Sequence, residues 1–196
     1  MKGKGETTVS TGPLVVAIDT ETTGLGHNDS RGPRPDGVVQ VGIAWRETRA
    51  SIGSWSIYCN PGPRFLAGGR ASEALAVNGL TLERILQSIP AAGAAEQLRA
   101  KLNSLETTGG HVELRAFNAA FDRPFLEVAP WRLSHPWGEC LMARAAERFG
   151  SFNGRIPLWR ACAAAGIEFD GQAHSADVDA RAALRLSEFL DGDRGR

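Results

Sequence analysis

The stretch VVAIDTETTGL, residues 15–25, ends an apolar run with two carboxylates separated by one residue. Four apolar residues precede Asp19, which is typical of a buried central strand. Side chains at positions i and i+2 of a strand point to the same face, so Asp19 and Glu21 are expected to lie together while Thr20 points away. Taking such charges out of water costs roughly several kcal/mol unless a partner compensates for them.

A cation is therefore expected beside these two acids. Carboxylate oxygens suit Mg²⁺ or Mn²⁺, which proteins usually bind through a few carboxylates, waters and substrate phosphates. The alternative is that one acid caps a helix and the other lies on the surface. The apolar run favours the metal site.

Composition predicts one domain. The 196 residues are 42% apolar and 22% charged, which is enough for an ordinary core and a polar surface. We expect polar tails at 1–12 and 191–196 around a domain at 13–190. Lysine plus arginine equal aspartate plus glutamate at 22 each, so net charge neither favours nor excludes a nucleic-acid ligand.

No run approaches the roughly 20 apolar residues of a membrane span, and the N-terminus lacks the apolar centre of a secretory signal. We therefore expect a cytoplasmic protein with no membrane partner. The cysteines, Cys59, Cys140 and Cys162, are odd in number and widely spaced. They are expected to be reduced core residues.

Hydrophobic periodicity predicts strands and helices in a mixed order. A polar loop is expected at 26–37, where Arg31 and Arg34 either meet phosphates or are simply solvated. The order indicates a mixed sheet covered by helices, an α/β or α+β layered domain. Strands are predicted at 14–19, 38–45, 52–59 and 112–118, and helices at 94–106, directly after the fourth strand, and at 139–149, 157–165 and 175–190.

A further acid, Asp122, lies in FNAAFDRPFL, two residues before Pro124. Proline is tolerated in the first turn of a helix, so Asp122 is predicted to start one. A carboxylate at the positive end of a helix serves equally well as a plain cap, and this alternative stays open.

The segment AHSADVDARAALRLSEFL offers two acids, and helix geometry distinguishes them. Asp179 heads an apolar stripe at three- and four-residue spacing and should face the core. Asp177 is four residues before Arg181 and should form a surface ion pair with it. We therefore assign function to Asp179.

His174 precedes Asp179 by five residues, which is about 140° around a helix, so both could not reach one site from a single helix. His174 is therefore expected on the preceding loop. From there its imidazole can accept a proton from water as a general base. The alternative is an ordinary polar loop residue.

Together these residues resemble the DEDDh branch of the DEDD exonucleases, which includes bacterial proofreading exonucleases and ribonuclease T. DTETTGL resembles the first motif and carries Asp19 and Glu21, and FNAAFDRPFL resembles the second and carries Asp122. HSADVD resembles the third, with His174 and Asp179. The sister branch uses a tyrosine in the third motif, whereas the single tyrosine of this sequence is far upstream.

The resemblance implies a ribonuclease H-like fold with a five-stranded mixed sheet flanked by helices. It implies hydrolysis of the terminal phosphodiester from the 3′ end, with release of nucleoside 5′-monophosphates. Asp19, Glu21, Asp122 and Asp179 would bind two Mg²⁺ or Mn²⁺ ions, and His174 would be the general base.

It also implies a substrate site. VNGLT resembles the substrate-contacting turn of the family, with asparagine where histidine is frequent. Phe121 would stack on the terminal base, although a plain core role is the alternative. The expected substrate-binding residues are Thr22, Gly24, Leu25, Asn78 and Phe121.

The favoured substrate is a single-stranded DNA 3′ end, which would suit proofreading or DNA repair. An exoribonuclease of the same branch and an inactive ribonuclease H-like binding module are the alternatives. The short segment after the last helix favours a free-standing enzyme, a monomer or a homodimer, over a polymerase subunit.

Overall fold

The computed structural model describes residues 12–29, 32–34, 36–151, 153–169 and 174–192. The strands are β1 (Leu14–Thr22), β2 (His27–Asp29), β3 (Gly32–Arg34), β4 (Val38–Arg46), β5 (Ile52–Asn60), β6 (Ile89–Pro90) and β7 (Val112–Arg115). The helices are α1 (Pro63–Leu66), α2 (Gly69–Val77), α3 (Leu82–Gln87), α4 (Ala91–Gly109), α5 (Ala119–Leu126), α6 (Leu141–Phe149), α7 (Leu158–Ala164) and α8 (Ala176–Gly192).

Five strands form a mixed sheet in the order β6-β5-β4-β1-β7. β1 pairs antiparallel with β4 and parallel with β7, and β5 pairs antiparallel with β4 and parallel with β6. β1 and β4 are the most buried strands, as the apolar run before Asp19 predicts for the former. The predicted five-stranded mixed sheet flanked by helices is confirmed.

The two faces of the sheet are covered by different helices. Val16 and Ile18 of β1 pack in a cluster with Leu98 and Leu102 of α4, whose leucines recur at helical spacing. Ala17, one position along the strand, packs in a second cluster with α6, α7 and α8. Alternate residues of β1 thus face opposite helical layers, which puts positions 17, 19 and 21 on the α8 side.

Several parts of the fold differ from the sequence prediction. The expected loop at 26–37 contains β2 and β3, which pair antiparallel. The helices α1 to α3 and the two-residue β6 were not predicted; α1, α3 and β6 are too short to show a measurable period. Arg31 and the side chain of Arg34 lie outside the described residues, so their expected phosphate contacts are not tested.

Helix α5 begins earlier than predicted. The carbonyl of Asn118 accepts the backbone N–H groups of both Phe121 and Asp122, so the first turn starts at Ala119. Pro124 is therefore the sixth residue of the helix and not part of its first turn. The helix ends two residues later, which limits the disruption that an internal proline causes.

Helix α8 extends beyond the predicted end of the domain at residue 190. Asp191 accepts hydrogen bonds from Arg115 at 2.5 Å and pairs with Arg144 at 2.9 Å, so it belongs to the fold. The remaining residues of the two predicted tails, 1–11 and 193–196, lie outside the described ranges.

All three cysteines are free thiols, with Cys59 and Cys162 buried and Cys140 half-buried. The predicted core placement is right for the first two, and Cys140 lies at the edge of the core. None of the helices in the described ranges is both long enough and apolar enough to cross a membrane.

Candidate active site

The end of β1 presents its acids as strand geometry predicts. Asp19 and Glu21 share the face of Ala17, toward α8, while Thr20 points to the opposite layer. Glu21 is 8% exposed, so its carboxylate has little contact with bulk water.

Helix α8 brings a third acid to this pair. Asp19, Glu21 and Asp179 each offer a carboxylate oxygen within 4.8 Å of the others. Asp177 points elsewhere, where it pairs with Arg181 at 2.8 Å and accepts a hydrogen bond from the Ser175 hydroxyl. The helix periodicity therefore predicted correctly that Asp179, and not Asp177, lies beside Asp19 and Glu21.

Asp122 lies next to the cluster and is 2% exposed. Its Oδ1 accepts hydrogen bonds from the backbone N–H of Thr20 at 3.0 Å and from the Thr20 hydroxyl at 2.8 Å. The N-cap of α5 is Asn118, so the plain capping role considered for Asp122 does not apply. Both hydrogen bonds use Oδ1, and Asp122 ties α5 to the strand that carries the first two acids.

His174 lies just before α8, on the loop where the helix-angle argument placed it. Its side chain is exposed and its backbone has a φ of 65°. The pKa of Asp179 is raised by burial, and the His174 side chain and a hydrogen bond from the His174 backbone act against this rise. His174 is thus a close neighbour of the acidic cluster.

Burial and mutual repulsion raise the pKa values of the cluster. The pKa of Asp19 lies well above its usual value, because of burial first and then the charges of Asp122, Glu21 and Asp179. Burial and its acidic neighbours raise the pKa of Glu21 to about 8, and burial raises the pKa of Asp122 to about 7. Within the described ranges, neither a lysine nor an arginine forms an ion pair with any of the four acids.

This donor set fits divalent metal ions. Four crowded carboxylates with no lysine or arginine ion pair in the described structure need compensating positive charge beyond that of His174, and hard cations prefer oxygen ligands. Asp19, Glu21 and Asp179 lie close enough together to share an ion, and Asp122 adjoins them.

In the absence of metal, the protein is expected to lose stability as the pH rises. The pKa of Glu21 is about 8 in the folded chain against an ordinary 4.5, so the folded state holds a proton that the unfolded state has released. This contribution is fully present below the unfolded pKa and is lost as the pH rises through the folded pKa. In EDTA the melting temperature should fall by roughly 5–10 °C between about pH 5 and pH 8.

Glu21→Gln should show a smaller fall in the same buffers, because one titrating group is removed. Glu96→Gln, which changes an exposed acid on α4, should follow the wild-type curve. A wild-type melting temperature that is constant or rising over this range would contradict the crowding of buried acids. Circular dichroism melts supply the measurement.

A pocket of about 420 Å³ opens beside the cluster. Glu21 is among its lining residues, and so is every residue that the family resemblance implies for substrate binding: Thr22, Gly24, Leu25, Asn78 and Phe121. Leu25 is 82% exposed at its edge, and the Asn78 amide lies 3.4 Å from the carbonyl of Thr22. Phe121 also packs against the core and against Phe125 at 5.3 Å, so its core contact is present, and its stacking on a base stays a prediction.

Gly24 has a local reason to be glycine. A Cβ at this position would lie 2.5 Å from the Asp36 carboxylate, which accepts a hydrogen bond from the backbone N–H of Gly26 at 2.8 Å. Asp36 thus links the turn after β1 to the segment just before β4.

Helix α2 forms one wall of the pocket, and sequence reasoning missed it. It contributes Arg70, Glu73, Ala74 and Val77 to the lining. The buried positions Ala71 and Leu75 are four residues apart, and this spacing was the available signal for an amphipathic helix.

The sequence matches no family model and no curated protein. Solved structures do match. A full-length 3′-exonuclease superposes with a TM-score of 0.71 and 14% identity over 98% of this chain. The chain has the ribonuclease H-like fold of such exonucleases. It spans 64% of the length of that first structure.

Two further structures have the same fold. The nuclease domain of 3′hExo, a DEDDh family member bound to rAMP, gives a TM-score of 0.64 and 14% identity over 94% of both chains. S. pombe Pop2p in its Mg²⁺- and Mn²⁺-bound form gives 0.61 and 17% identity over 91% of this chain and 82% of its own.

Proposed function

We propose that this protein is a divalent-metal-dependent 3′→5′ exonuclease that releases nucleoside 5′-monophosphates from nucleic acid. The observation that carries the proposal is the convergence of Asp19, Glu21 and Asp179 within 4.8 Å, beside Asp122 and at the edge of a 420 Å³ pocket. Similarity in fold to solved 3′-exonucleases supports it.

The four acids would hold the metal, and two ions are proposed. Pop2p, which has the same fold, was solved with Mg²⁺ and Mn²⁺. Bound divalent cations would supply positive charge next to the scissile phosphate and stabilise the charge that develops there. The crowding of buried and half-buried carboxylates, with no lysine or arginine ion pair among the described residues, is the structural feature that fits this role.

His174 is proposed as the general base. Its exposed imidazole, beside Asp179, accepts a proton as a water oxygen attacks the terminal phosphorus. A new phosphorus–oxygen bond forms and the bond to the 3′ oxygen of the preceding nucleotide breaks. That oxygen takes a proton from solvent, which leaves a strand shortened by one nucleotide and a free 5′-monophosphate.

The pocket is proposed to hold the 3′-terminal nucleotide. Leu25 and Phe121 supply apolar surface for the base, since stacking on aromatic side chains is tolerant of sequence. Thr22, Gly24 and Asn78 line the same pocket and would contact the sugar and the phosphate. An inactive binding module is less well supported, because all five side chains of the three motifs are present.

Single-stranded DNA is the first proposed substrate, from the resemblance to the proofreading branch. RNA is the second, because matching structures are described with a histone mRNA stem-loop and with rAMP. Proofreading or DNA repair, a cytoplasmic location and a monomeric or homodimeric state belong to the same proposal.

Oligonucleotides labelled at the 5′ end test the proposal. Single-stranded DNA, duplex DNA and RNA of one sequence should be compared in Mg²⁺ and in EDTA. We expect a ladder that shortens from the 3′ end, with mononucleotide release that EDTA abolishes and a 3′-phosphate block prevents. Internal cleavage, shortening from the 5′ end or equal activity in EDTA would contradict the proposal.

A further inference from the structure

Two residues of β4 lie directly opposite the acids of β1. In the antiparallel register Gly42 faces Asp19 and Gln40 faces Glu21. Directly opposed residues of an antiparallel pair point to the same face, so Gln40 and Gly42 share the α8 side with the two acids. The first turn of α8 lies on this part of β4.

Gly42 allows the helix to touch the strand. A Cβ at this position would lie 2.2 Å from the carbonyl carbon of Ala176 and 2.3 Å from the backbone nitrogen of Asp177. Real Cβ atoms do not approach backbone this closely, so a side chain at position 42 would push the start of α8 away. The backbone of α8 therefore rests directly on the strand.

Gln40 holds the same turn through a hydrogen bond. Its Oε1 accepts the backbone N–H of Ala176 at 3.3 Å. Ala176 is the first residue of α8, two positions after His174 and three before Asp179. The free N–H groups of a first helical turn need acceptors, and Gln40 supplies one for the helix that carries Asp179.

The other end of the same amide has no partner among the described residues. Gln40 is 1% exposed, and its Nε2 makes no hydrogen bond with that part of the chain. Leaving a buried N–H unpaired costs about 1–3 kcal/mol, so this donor is expected to have an acceptor in the working state. Glu21, opposite in the register, is the acidic side chain placed to accept it.

We propose that Gln40 is a positioning residue for the acidic site, acting through both ends of its amide. Its Oε1 fixes the first turn of α8, and with it His174 and Asp179. Its Nε2 would donate to the Glu21 carboxylate once the acids hold a divalent cation. The inference rests on the proposed metal-dependent function.

A glutamine with only a structural role would affect stability, whereas a positioning residue would also affect the affinity for the metal. Gln40→Met keeps the volume and removes both polar atoms, while Gln40→Glu keeps an acceptor for Ala176 and, once ionised, has no donor. Gln97→Met, at an exposed position of α4, is the matched control. Outer partners of metal ligands typically contribute about 10- to 100-fold to metal affinity or activity.

Calorimetric titration with Mn²⁺ and oligonucleotide kinetics form the test. For Gln40→Met we expect Mn²⁺ affinity and kcat to fall by at least about 10-fold with KM within about twofold of wild type. Gln40→Glu should keep the wild-type melting temperature in EDTA near pH 5, yet show reduced kcat. Gln97→Met should match wild type in every measurement.

Wild-type Mn²⁺ affinity and kcat in Gln40→Met would overturn the inference, and so would a loss of thermal stability alone. Failure of the proposed function appears differently. If wild type binds Mn²⁺ but releases no nucleotide, the nuclease proposal fails, while the Mn²⁺ affinities of the variants still decide the role of Gln40. If wild type binds no Mn²⁺, the role of Gln40 fails as well.

Discussion

Asp19→Asn is expected to reduce the metal-dependent release of nucleoside monophosphates by at least about 10³-fold, equivalent to about 4 kcal/mol in the activation barrier. Asp19 has the charges of the other three acids around it, and these charges contribute to its raised pKa. Asparagine has nearly the same shape but supplies no anionic oxygen, so it removes a proposed metal ligand without opening a cavity. Chromatography of mononucleotides from timed digests gives the rates.

The same variant should fold at least as well as wild type in EDTA at about pH 8, because it removes one buried charge from a repelling cluster. Undiminished stability would show that the variant loses activity through its missing carboxylate and not through misfolding. An activity within about 10-fold of wild type would contradict the central place of Asp19, and a melting temperature below that of wild type in EDTA would contradict the repulsion between the four acids.

Asp179→Ala and Asp177→Ala should differ by at least about 10²-fold in activity although the residues lie two positions apart on α8. Asp179 reaches the acids of β1, whereas Asp177 forms a half-buried pair with Arg181, which also donates to Ser54 of β5. Loss of that i,i+4 pair costs about 0.5 kcal/mol, so Asp177→Ala should stay within about twofold of wild-type activity.

Both variants should be assayed at saturating Mg²⁺ and compared by their melting curves. Asp177→Ala is the matched control, since it removes an acid of the same type from the same turn. Equal losses in the two variants would contradict an orientation of α8 that turns Asp179 toward the acids of β1 and Asp177 away from them.

Strand and helix periods were sufficient to predict most of the acidic site. The period of two placed Asp19 and Glu21 on one face, and the period of 3.6 separated Asp179 from Asp177. The same geometry put His174 on a loop. These predictions succeeded because each depends on residues within one element, where backbone geometry alone fixes the direction of a side chain.

Strand and helix periodicity did not predict contacts between distant segments of the chain. The hydrogen bonds of Asp122 with Thr20 join residues 102 positions apart in the chain, and Gln40 meets Ala176 across 136 positions. Arg70 and Glu73 reach the pocket from α2, a nine-residue helix whose buried positions are Ala71 and Leu75 alone. Such contacts follow from how the layers pack, which no local pattern encodes.

The convergence of acids from β1, α5 and α8 on divalent cations is the central claim, and anomalous scattering from crystals grown with Mn²⁺ tests it most directly. We predict anomalous peaks between the carboxylates of Asp19, Glu21, Asp122 and Asp179, at the edge of the pocket. Crystals that diffract well but show no peak there, or show Mn²⁺ bound only elsewhere, would contradict it.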